Sequence, residues 1–297
     1  YPSKPIRIIV NFPPGGTVDV MTRGVAQKLT EKWGQAVVVD NRPGAGGNIG
    51  AQAVASAEPD GYTLLATPPG PMTINQYLYK DMRFDPAKLS SVIMMASVPN
   101  AIAARIDFPA NNVKELIAYT KANPGKVSFG SQGNGSTSHL TGQMFATMVG
   151  SDMMHIPFKG EGPALTEILG GRVDLFLGNI SAVLKLYQNK QIKLLGVASP
   201  KRSPMANEIP ASQEFGMPDF VASAWFAIAA PPGTPAPIVN KLNAAILEAL
   251  KLPDTQQKMA ALGGEVVGGS PADMTTMVIA ERARWKKVIE TANVKLD

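Results

Sequence analysis

Short β-branched runs alternate with amphipathic helical segments along this chain, a pattern typical of an α/β protein with largely parallel sheets. The first strand is predicted from Ile6 to Phe12, and apolar residues then recur at helical spacing from Val18 to Trp33. Amphipathic helices are predicted in several of the later segments, and two more follow the proline-rich stretch that ends at Pro237. Further strands are predicted over residues 36–40, 62–66, 127–130, 173–177, 194–198 and 225–229.

The composition excludes several kinds of site. The 297 residues include no cysteine, which rules out disulfide scaffolds, cysteine nucleophiles and thiolate zinc sites. Two histidines are present, His139 and His155, and they leave little for a histidine metal cluster. Hydrophobic residues make up 45% of the chain, yet no apolar run approaches the ~20 residues of a membrane helix. We therefore predict a globular protein with no bound metal.

The net charge of +5 does not by itself predict a nucleic-acid surface. Binding along a phosphate backbone needs basic residues clustered on one face, usually with aromatic residues that stack on bases. The one dense basic run, from Arg282 to Lys287, lies among apolar residues at helical spacing, so its cations are interpreted as the solvated face of a helix. No nucleic-acid partner is expected, although a general positive field can steer small anions.

The turn that follows the first predicted strand is a candidate anion site. Gly15 and Gly16 let the backbone turn tightly, and Thr17 stands where a helix is predicted to begin, so unpaired N–H groups point outward. Such a terminus attracts anions. A phosphate loop would add Gly-Lys-Ser/Thr, which is absent here, so a nucleoside triphosphate is not expected. Taken alone, this turn is better explained as a plain capped helix start.

A second glycine-rich turn repeats the same physics more than a hundred residues later. Hydroxyl groups crowd around the predicted start of a helix, and the candidate binding residues there are Ser131, Gly135, Ser136 and Thr137. Two such turns in separate halves of the chain predict two backbone N–H sites that suit a small molecule with a carboxylate. The loops that contain Gly162 and Asn179 follow other predicted strands and could add walls and a side-chain amide.

Enzymatic alternatives are weaker. The chain has no Gly-x-Ser-x-Gly elbow, and Ser136 and His139 have no orienting carboxylate nearby in the sequence. Asp19 could be a general base, but with Arg23 four residues later it more simply stabilises the helix dipole and forms an ion pair. No catalytic residue is predicted.

One glycine-rich stretch partly matches a dinucleotide-binding motif. The stretch from Gly44 to Gly50 has glycines at the spacing G-x-G-x-x-x-G, but three residues separate it from the preceding strand. No acidic residue for a ribose follows the next strand, so these glycines are interpreted as allowing a helix to pack closely on the sheet. No cofactor is expected, although an α/β dehydrogenase or hydrolase acting on a small organic acid remains the alternative function.

Several motifs, in order along almost the whole chain, resemble the Bug family of extracytoplasmic binding proteins of tripartite tricarboxylate transporters. They are Pro13-Pro-Gly-Gly-Thr-Val-Asp19, Asp40-Asn-Arg-Pro-Gly-Ala-Gly-Gly-Asn-Ile-Gly50, Pro59-Asp-Gly-Tyr-Thr-Leu-Leu65, Gly130-Ser-Gln-Gly-Asn-Gly-Ser136, Pro157-Phe-Lys-Gly160 and Ala230-Pro-Pro-Gly-Thr-Pro235. The resemblance implies a two-lobed type II periplasmic binding protein fold with the ligand cleft between the lobes. It also implies a monomer in the periplasm that delivers a small organic carboxylate to membrane permease subunits.

The resemblance further implies boundaries and binding residues. Lobe one would comprise residues 1–98 and 225–297, and lobe two residues 99–224. The ligand carboxylate would be held by Gly15, Gly16 and Thr17 in the first loop, partly through bridging waters, and by the Ser131–Thr137 loop. The chain begins at Tyr1 rather than at methionine, which is expected for a secreted protein whose signal peptide has been cleaved; an expression remnant is the plainer alternative.

One stretch departs from the family pattern. A small hydroxylated loop is expected after the strand at residues 62–66, whereas the sequence has Thr67-Pro-Pro-Gly-Pro-Met-Thr73. Proline removes amide donors, and Met72 is apolar and adaptable. We therefore predict a ligand with an apolar body, either a longer aliphatic dicarboxylate or an aromatic acid such as terephthalate. Phe12, Thr67 and Met72 are its candidate contacts.

Overall fold

The computed structural model describes residues 1–296 and divides the chain into two compact α/β units. Unit 1 consists of Tyr1–Ser97, Trp225–Ala260 and Glu265–Lys286. Unit 2 consists of Val98–Ala224, Ala261–Gly264 and the described residues from Lys287 onward. Val98, residues 261–264 and the described residues from Lys287 onward lie in unit 2 but were predicted in lobe one, and the assignment of functional lobes stays a prediction.

The strands are short apart from one. They are β1 (Ile6–Val10), β2 (Val37–Asn41), β3 (Thr63–Thr67), β4 (Ser90–Arg105), β5 (Ser128–Ser131), β6 (Met154–Pro157), β7 (Leu175–Asn179), β8 (Ile192–Val197), β9 (Ser223–Ala230) and β10 (Glu265–Gly268).

The α-helices lie mostly between strands. They are α1 (Thr17–Trp33), α2 (Asn48–Ala55), α3 (Val113–Ala122), α4 (Thr137–Val149), α5 (Glu161–Leu169), α6 (Ile180–Gln188), α7 (Ala236–Lys251), α8 (Pro253–Ala261) and α9 (Pro271–Thr291). None of the helices within residues 1–296 combines the length and the apolar content that a bilayer span requires.

In unit 1, β1 lies between β2 and β3 and is parallel to both. On the other side of β3, the antiparallel strand β9 is added. The buried side of this sheet packs against helices, and an apolar cluster there includes Ile9, Leu65, Met72, Trp225 and Met274. Because β1, β2 and β3 are parallel, the loops that follow them emerge at one edge of the sheet, where the first glycine-rich turn lies.

In unit 2, β5 lies between β6 and β7 and is parallel to both. The second half of β4 is antiparallel to β7 and also to β8. The carboxyl ends of β5, β6 and β7 therefore meet at one edge of this sheet, and the second glycine-rich turn follows β5 directly.

Two glycines show why helix α2 needs its unusual entry sequence. A Cβ built on Gly47 would lie 2.9 Å from side-chain atoms of Asn11, Phe12 and Pro71, and one on Gly50 would lie 2.7 Å from Asn11. No larger residue fits so close to the sheet, so the interpretation of this stretch as a close-packing device is confirmed.

Candidate ligand-binding site

In unit 1, the first glycine-rich turn is held by Asp19. The buried carboxylate accepts a hydrogen bond from Gly15 N at 2.9 Å and another from Asn41 Nδ2 at 2.9 Å, and it pairs with Arg23. Burial alone raises the pKa of Asp19, but the hydrogen bonds from Arg23, Gly15 and Asn41 outweigh burial and lower it below its usual value. Asp19 is therefore a structural anion rather than a general base, as the sequence analysis favoured.

The residues of this turn differ in exposure. Gly15 adopts a positive φ of 83° and is exposed, Gly16 is the N-cap of α1 with an extended backbone, and Thr17 is buried. The N-terminus of a 17-residue helix thus opens at the carboxyl edge of the sheet. Such a terminus favours a negatively charged group.

The three other predicted contacts of unit 1 are placed differently. Phe12 is half-buried two residues after the end of β1. The hydroxyl of Thr67 is fully buried, accepts a hydrogen bond from Asn11 Nδ2 at 2.9 Å and donates to Pro68 O at 2.9 Å. Met72 is 1% exposed and packs in the apolar cluster of unit 1. Both Thr67 and Met72 thus have roles inside unit 1, and their contact with a ligand stays a prediction.

In unit 2, the second glycine-rich turn is an ordered hydrogen-bonded loop. Ser136 is the N-cap of α4: its Oγ accepts from His139 N at 3.3 Å and donates to Gly133 O at 2.6 Å. The hydroxyl of Ser138 accepts a hydrogen bond from Gln132 N at 3.0 Å. Gly135 needs its glycine, because its φ is 77°. The loop therefore holds the start of α4 open at the sheet edge.

Two stacked imidazoles lie beneath this loop. Ser131 Oγ lies 2.7 Å from His155 Nε2, and Gly135 N donates to His139 Nδ1 at 3.3 Å. Burial and, to a smaller extent, electrostatic repulsion from His155 lower the pKa of His139 to about 3. Burial also lowers the pKa of His155 to about 4. Both rings are neutral at pH 7 and can accept the hydrogen bonds of the loop.

The pair Ser131 and His155 resembles a nucleophile with its base, but its surroundings give it another role. Ser131 is fully buried, and its Oγ also accepts from Gly133 N at 3.1 Å. An imidazole with so low a pKa is a weak base at neutral pH. The pair therefore shapes the loop. Among residues 1–296, no group of three or more acidic or histidine side chains could hold a metal ion.

A trio of polar side chains gathers at the carboxyl ends of β5 and β7. Gln132 Nε2 and Asn179 Nδ2 both donate to Glu161 Oε1, at 2.6 Å and 2.5 Å. Asn179 is 2% exposed, and its Oδ1 has no partner. Gly162, the residue after Glu161, is exposed at the start of α5. A carboxylate thus stands among the predicted binding residues of unit 2.

A cavity of about 440 Å³ lies in unit 2 beside the two imidazoles. It is lined by polar and apolar residues of the loop, of α4, of β6 and of the chain end: Asn134, His139, Gln143, His155, Pro157, Ala292, Asn293, Val294, Lys295 and Leu296. The segment after α9 therefore belongs structurally to this unit.

Sequence reasoning missed Glu161, Gln132 and the role of His155. Glu161 lay within a loop considered from the sequence, but the residue predicted there was its neighbour Gly162, and His155 was interpreted as lying at a strand edge. A usable signal existed for Glu161, because a carboxylate at a helix start just after a short loop that follows a strand lies at the same sheet edge as the other binding loops. The contact between residues 24 positions apart in Ser131 and His155 had no comparable signal.

Known proteins resemble this chain over nearly its full length. The family model described as "Tripartite tricarboxylate transporter family receptor" (TctC) matches residues 21–294. Protein BugT of Bordetella pertussis is 38% identical over 298 aligned residues, which cover 100% of this chain and 91% of BugT. An R. palustris protein solved with adipate is 38% identical, with a TM-score of 0.96 and 99% of each chain covered. The periplasmic binding protein BugD is 35% identical, with a TM-score of 0.93 and 99% of each chain covered.

Proposed function

Because the chain belongs to the TctC family of tripartite tricarboxylate transporter receptors, we propose that it captures a small organic carboxylate and delivers it to membrane permease subunits. Family members are periplasmic binding proteins, and we place this chain in the periplasm with them. Its monomeric state, its signal peptide and its permease partner are parts of the proposal.

The observation that carries the proposal is the presence of a glycine-rich helix N-terminus in each unit. In unit 1 the exposed Gly15 and the half-buried Gly16 precede α1, and in unit 2 the loop up to Ser136 precedes α4. Backbone N–H groups at such termini bind carboxylates without an arginine. The R. palustris relative was solved with adipate, a dicarboxylate, which supports a carboxylate as ligand.

The finer proposal concerns the body of the ligand. Pro68, Pro69 and Pro71 follow β3 and supply no amide donors, so the loop there offers little to a hydroxylated acid such as citrate. We propose an acid with an apolar body, and a longer aliphatic dicarboxylate or terephthalate stays the prediction from the sequence. The assignment of units 1 and 2 as functional lobes belongs to the same proposal.

A thermal-shift screen followed by calorimetric titration tests the proposal. Adipate, terephthalate, malate and citrate are added to the purified chain, because a ligand that binds only the native state raises the melting temperature. We expect adipate or terephthalate to bind and malate and citrate to bind weakly or not at all. Binding of malate or citrate alone would refute the apolar body, and no binding by any carboxylate would refute the receptor function.

Matched threonine variants locate the site. Thr17→Val and Thr137→Val each remove a hydroxyl at a glycine-rich helix start, and we expect each to weaken binding about tenfold, the scale of one lost hydrogen bond. The controls are Thr22→Val in α1, whose hydroxyl donates to Val18 O within the helix, and Thr147→Val on the exposed side of α4. Turnover of ester or nicotinamide substrates that disappears in Ser136→Ala would favour the enzyme alternative instead.

A further inference from the structure

The carboxylate of Glu161 has a defined place at the binding edge of unit 2. Glu161 is the first residue of α5, directly after the loop that follows β6. Gln132 follows β5, and Asn179 is the last residue of β7 and the N-cap of α6. Since β5, β6 and β7 are parallel, the three side chains converge where an α/β sheet binds its ligands.

The hydrogen bonds to Glu161 determine how the side-chain amides of Gln132 and Asn179 are oriented. Gln132 and Asn179 both turn an amide N–H toward the same oxygen of Glu161. For Asn179 this leaves its buried Oδ1 without a partner, an arrangement that is unfavourable in itself. The reverse orientation would place the amide oxygen against the carboxylate, so the charge of Glu161 dictates the orientation of Asn179.

Exposure distinguishes Glu161 from its two partners. Gln132 is 9% exposed and Asn179 is 2% exposed, whereas Glu161 is intermediate in exposure and is followed by the exposed Gly162. Glu161 is therefore the most exposed residue of this trio. A carboxylate only accepts hydrogen bonds, and it repels a second negative charge in a partly desolvated site.

We propose that Glu161 is a specificity-determining residue, which disfavours a second, distal carboxylate of the ligand next to its own side chain and favours a hydrogen-bond-donating group there, an ammonium or a hydroxyl. The inference rests on the proposed function, that the chain binds a carboxylate. It narrows the ligand class further: among acids with an apolar body, those whose distal group donates a hydrogen bond are preferred to the matching dicarboxylates.

Ligand pairs that differ only in the distal group test this inference. Adipate is compared with 6-aminohexanoate and 6-hydroxyhexanoate, glutarate with 5-aminopentanoate, and terephthalate with 4-(aminomethyl)benzoate. Each is titrated by calorimetry at pH 7.5 into the unmodified protein, Glu161→Gln and the second variant Glu161→Ala. The control is Glu167→Gln near the other end of α5, where the carboxylate pairs with Arg172. Circular dichroism and melting temperatures confirm that each variant is folded.

The readout is the ratio of the two dissociation constants within a pair, which a general loss of binding does not change. We expect the unmodified protein to prefer the amino or hydroxy acid, and Glu161→Gln to shift the ratio at least threefold toward the dicarboxylate. Glu167→Gln should leave the ratio unchanged. A smaller shift in both Glu161 variants, or a shift in the other direction, overturns the assignment of Glu161. Absence of binding by every acid in the set refutes the proposed function itself.

Discussion

His139 and His155 stack face to face in unit 2, with ring centroids 3.8 Å apart and ring planes only 12° apart. Rings in this arrangement point their nitrogens edgewise, so the pair does not converge on one ion. His155 also stacks on Phe129, at a centroid distance of 5.0 Å. The two rings pack against each other beneath the second glycine-rich loop. Their protonation state therefore affects the stability of the folded protein.

The first prediction is a loss of stability in mild acid. Burial lowers the pKa of His139 to about 3 and that of His155 to about 4, whereas both titrate near 6.5 when unfolded. Below pH 6.5 the unfolded chain binds more protons than the native chain, so the free energy of unfolding falls as the pH is lowered toward about 4. Urea unfolding at pH 7.0, 6.0 and 5.0 measures this slope.

A double variant provides the control for the pH experiment. His139→Gln with His155→Gln removes both groups, and the slope between pH 6.5 and 5 should become shallower. Glu214 does not interfere, because its hydrogen bonds from Arg202 and Ala211 lower its pKa to about 2, so its contribution is lost only below the unfolded value of 4.5. An unchanged slope in the double variant contradicts the prediction.

The second prediction separates capping from binding. Ser136→Ala removes the N-cap of α4 and the bond to Gly133 O, so we expect about 1 kcal/mol less stability together with weaker ligand binding. Asn112→Ala removes the equivalent N-cap of α3, whose side chain accepts from Glu115 N at 2.9 Å. It should lower the stability by a similar amount in urea unfolding but leave ligand affinity intact. Equal effects on affinity would show that Ser136 acts only through the fold.

The third prediction concerns the anchor of the first loop. Asp19→Asn keeps the shape of the side chain but removes the charge that holds Gly15 and Arg23, so a loss of about 1–3 kcal/mol is expected. Asp254→Asn is the control, since its ion pair with Lys28 is exposed on the aspartate side. Exposed pairs contribute ~1 kcal/mol at most. Urea unfolding at pH 7 measures the free energy of unfolding of both variants. Comparable losses of stability in the two would contradict a special role for Asp19.

The fourth prediction uses two helical glycines. A Cβ on Gly142 of α4 would lie 2.2 Å from the ring of Phe129, which is fully buried, so Gly142→Ala should destabilise by about 1–3 kcal/mol. A Cβ on Gly24 of α1 meets nothing within 4 Å, so Gly24→Ala should stabilise by about 0.5–1 kcal/mol. The melting temperature should therefore fall in Gly142→Ala and rise in Gly24→Ala. A change in the same direction in both variants would contradict this account of the packing.

Local patterns predicted most of the fold, and the predicted family and α/β fold class are confirmed by relatives that match nearly the whole chain. The predicted strand at residues 62–66 appears as Thr63–Thr67. The long strand β4 was missed, because its second half is apolar on both faces and lacks an alternating pattern. Two helices were predicted at the end of the sequence, but the structure has three there, α7, α8 and α9, with β10 between α8 and α9.

The candidate site could be predicted only where the local sequence indicates a turn and the start of a helix. Glycine and hydroxyl residues after a strand predict a helix start, which is why the loops at Gly15 and Ser136 could be identified. The burial of Met72 and the contact of Ser131 with His155 depend on tertiary packing between distant segments. Sequence spacing carries no information about such contacts, so they became visible only in the folded chain.

The strand β4 has a consequence for how the protein can be dissected. Its residues up to Ser97 belong to unit 1, where Ala96 pairs with Val266 of β10, and its later residues pair with β7 and β8 in unit 2. A polypeptide truncated after residue 97 would also lack β9, the neighbour of β3. Unit 1 therefore cannot be obtained as one continuous fragment, and a nascent chain must be nearly complete before the first sheet acquires all its strands.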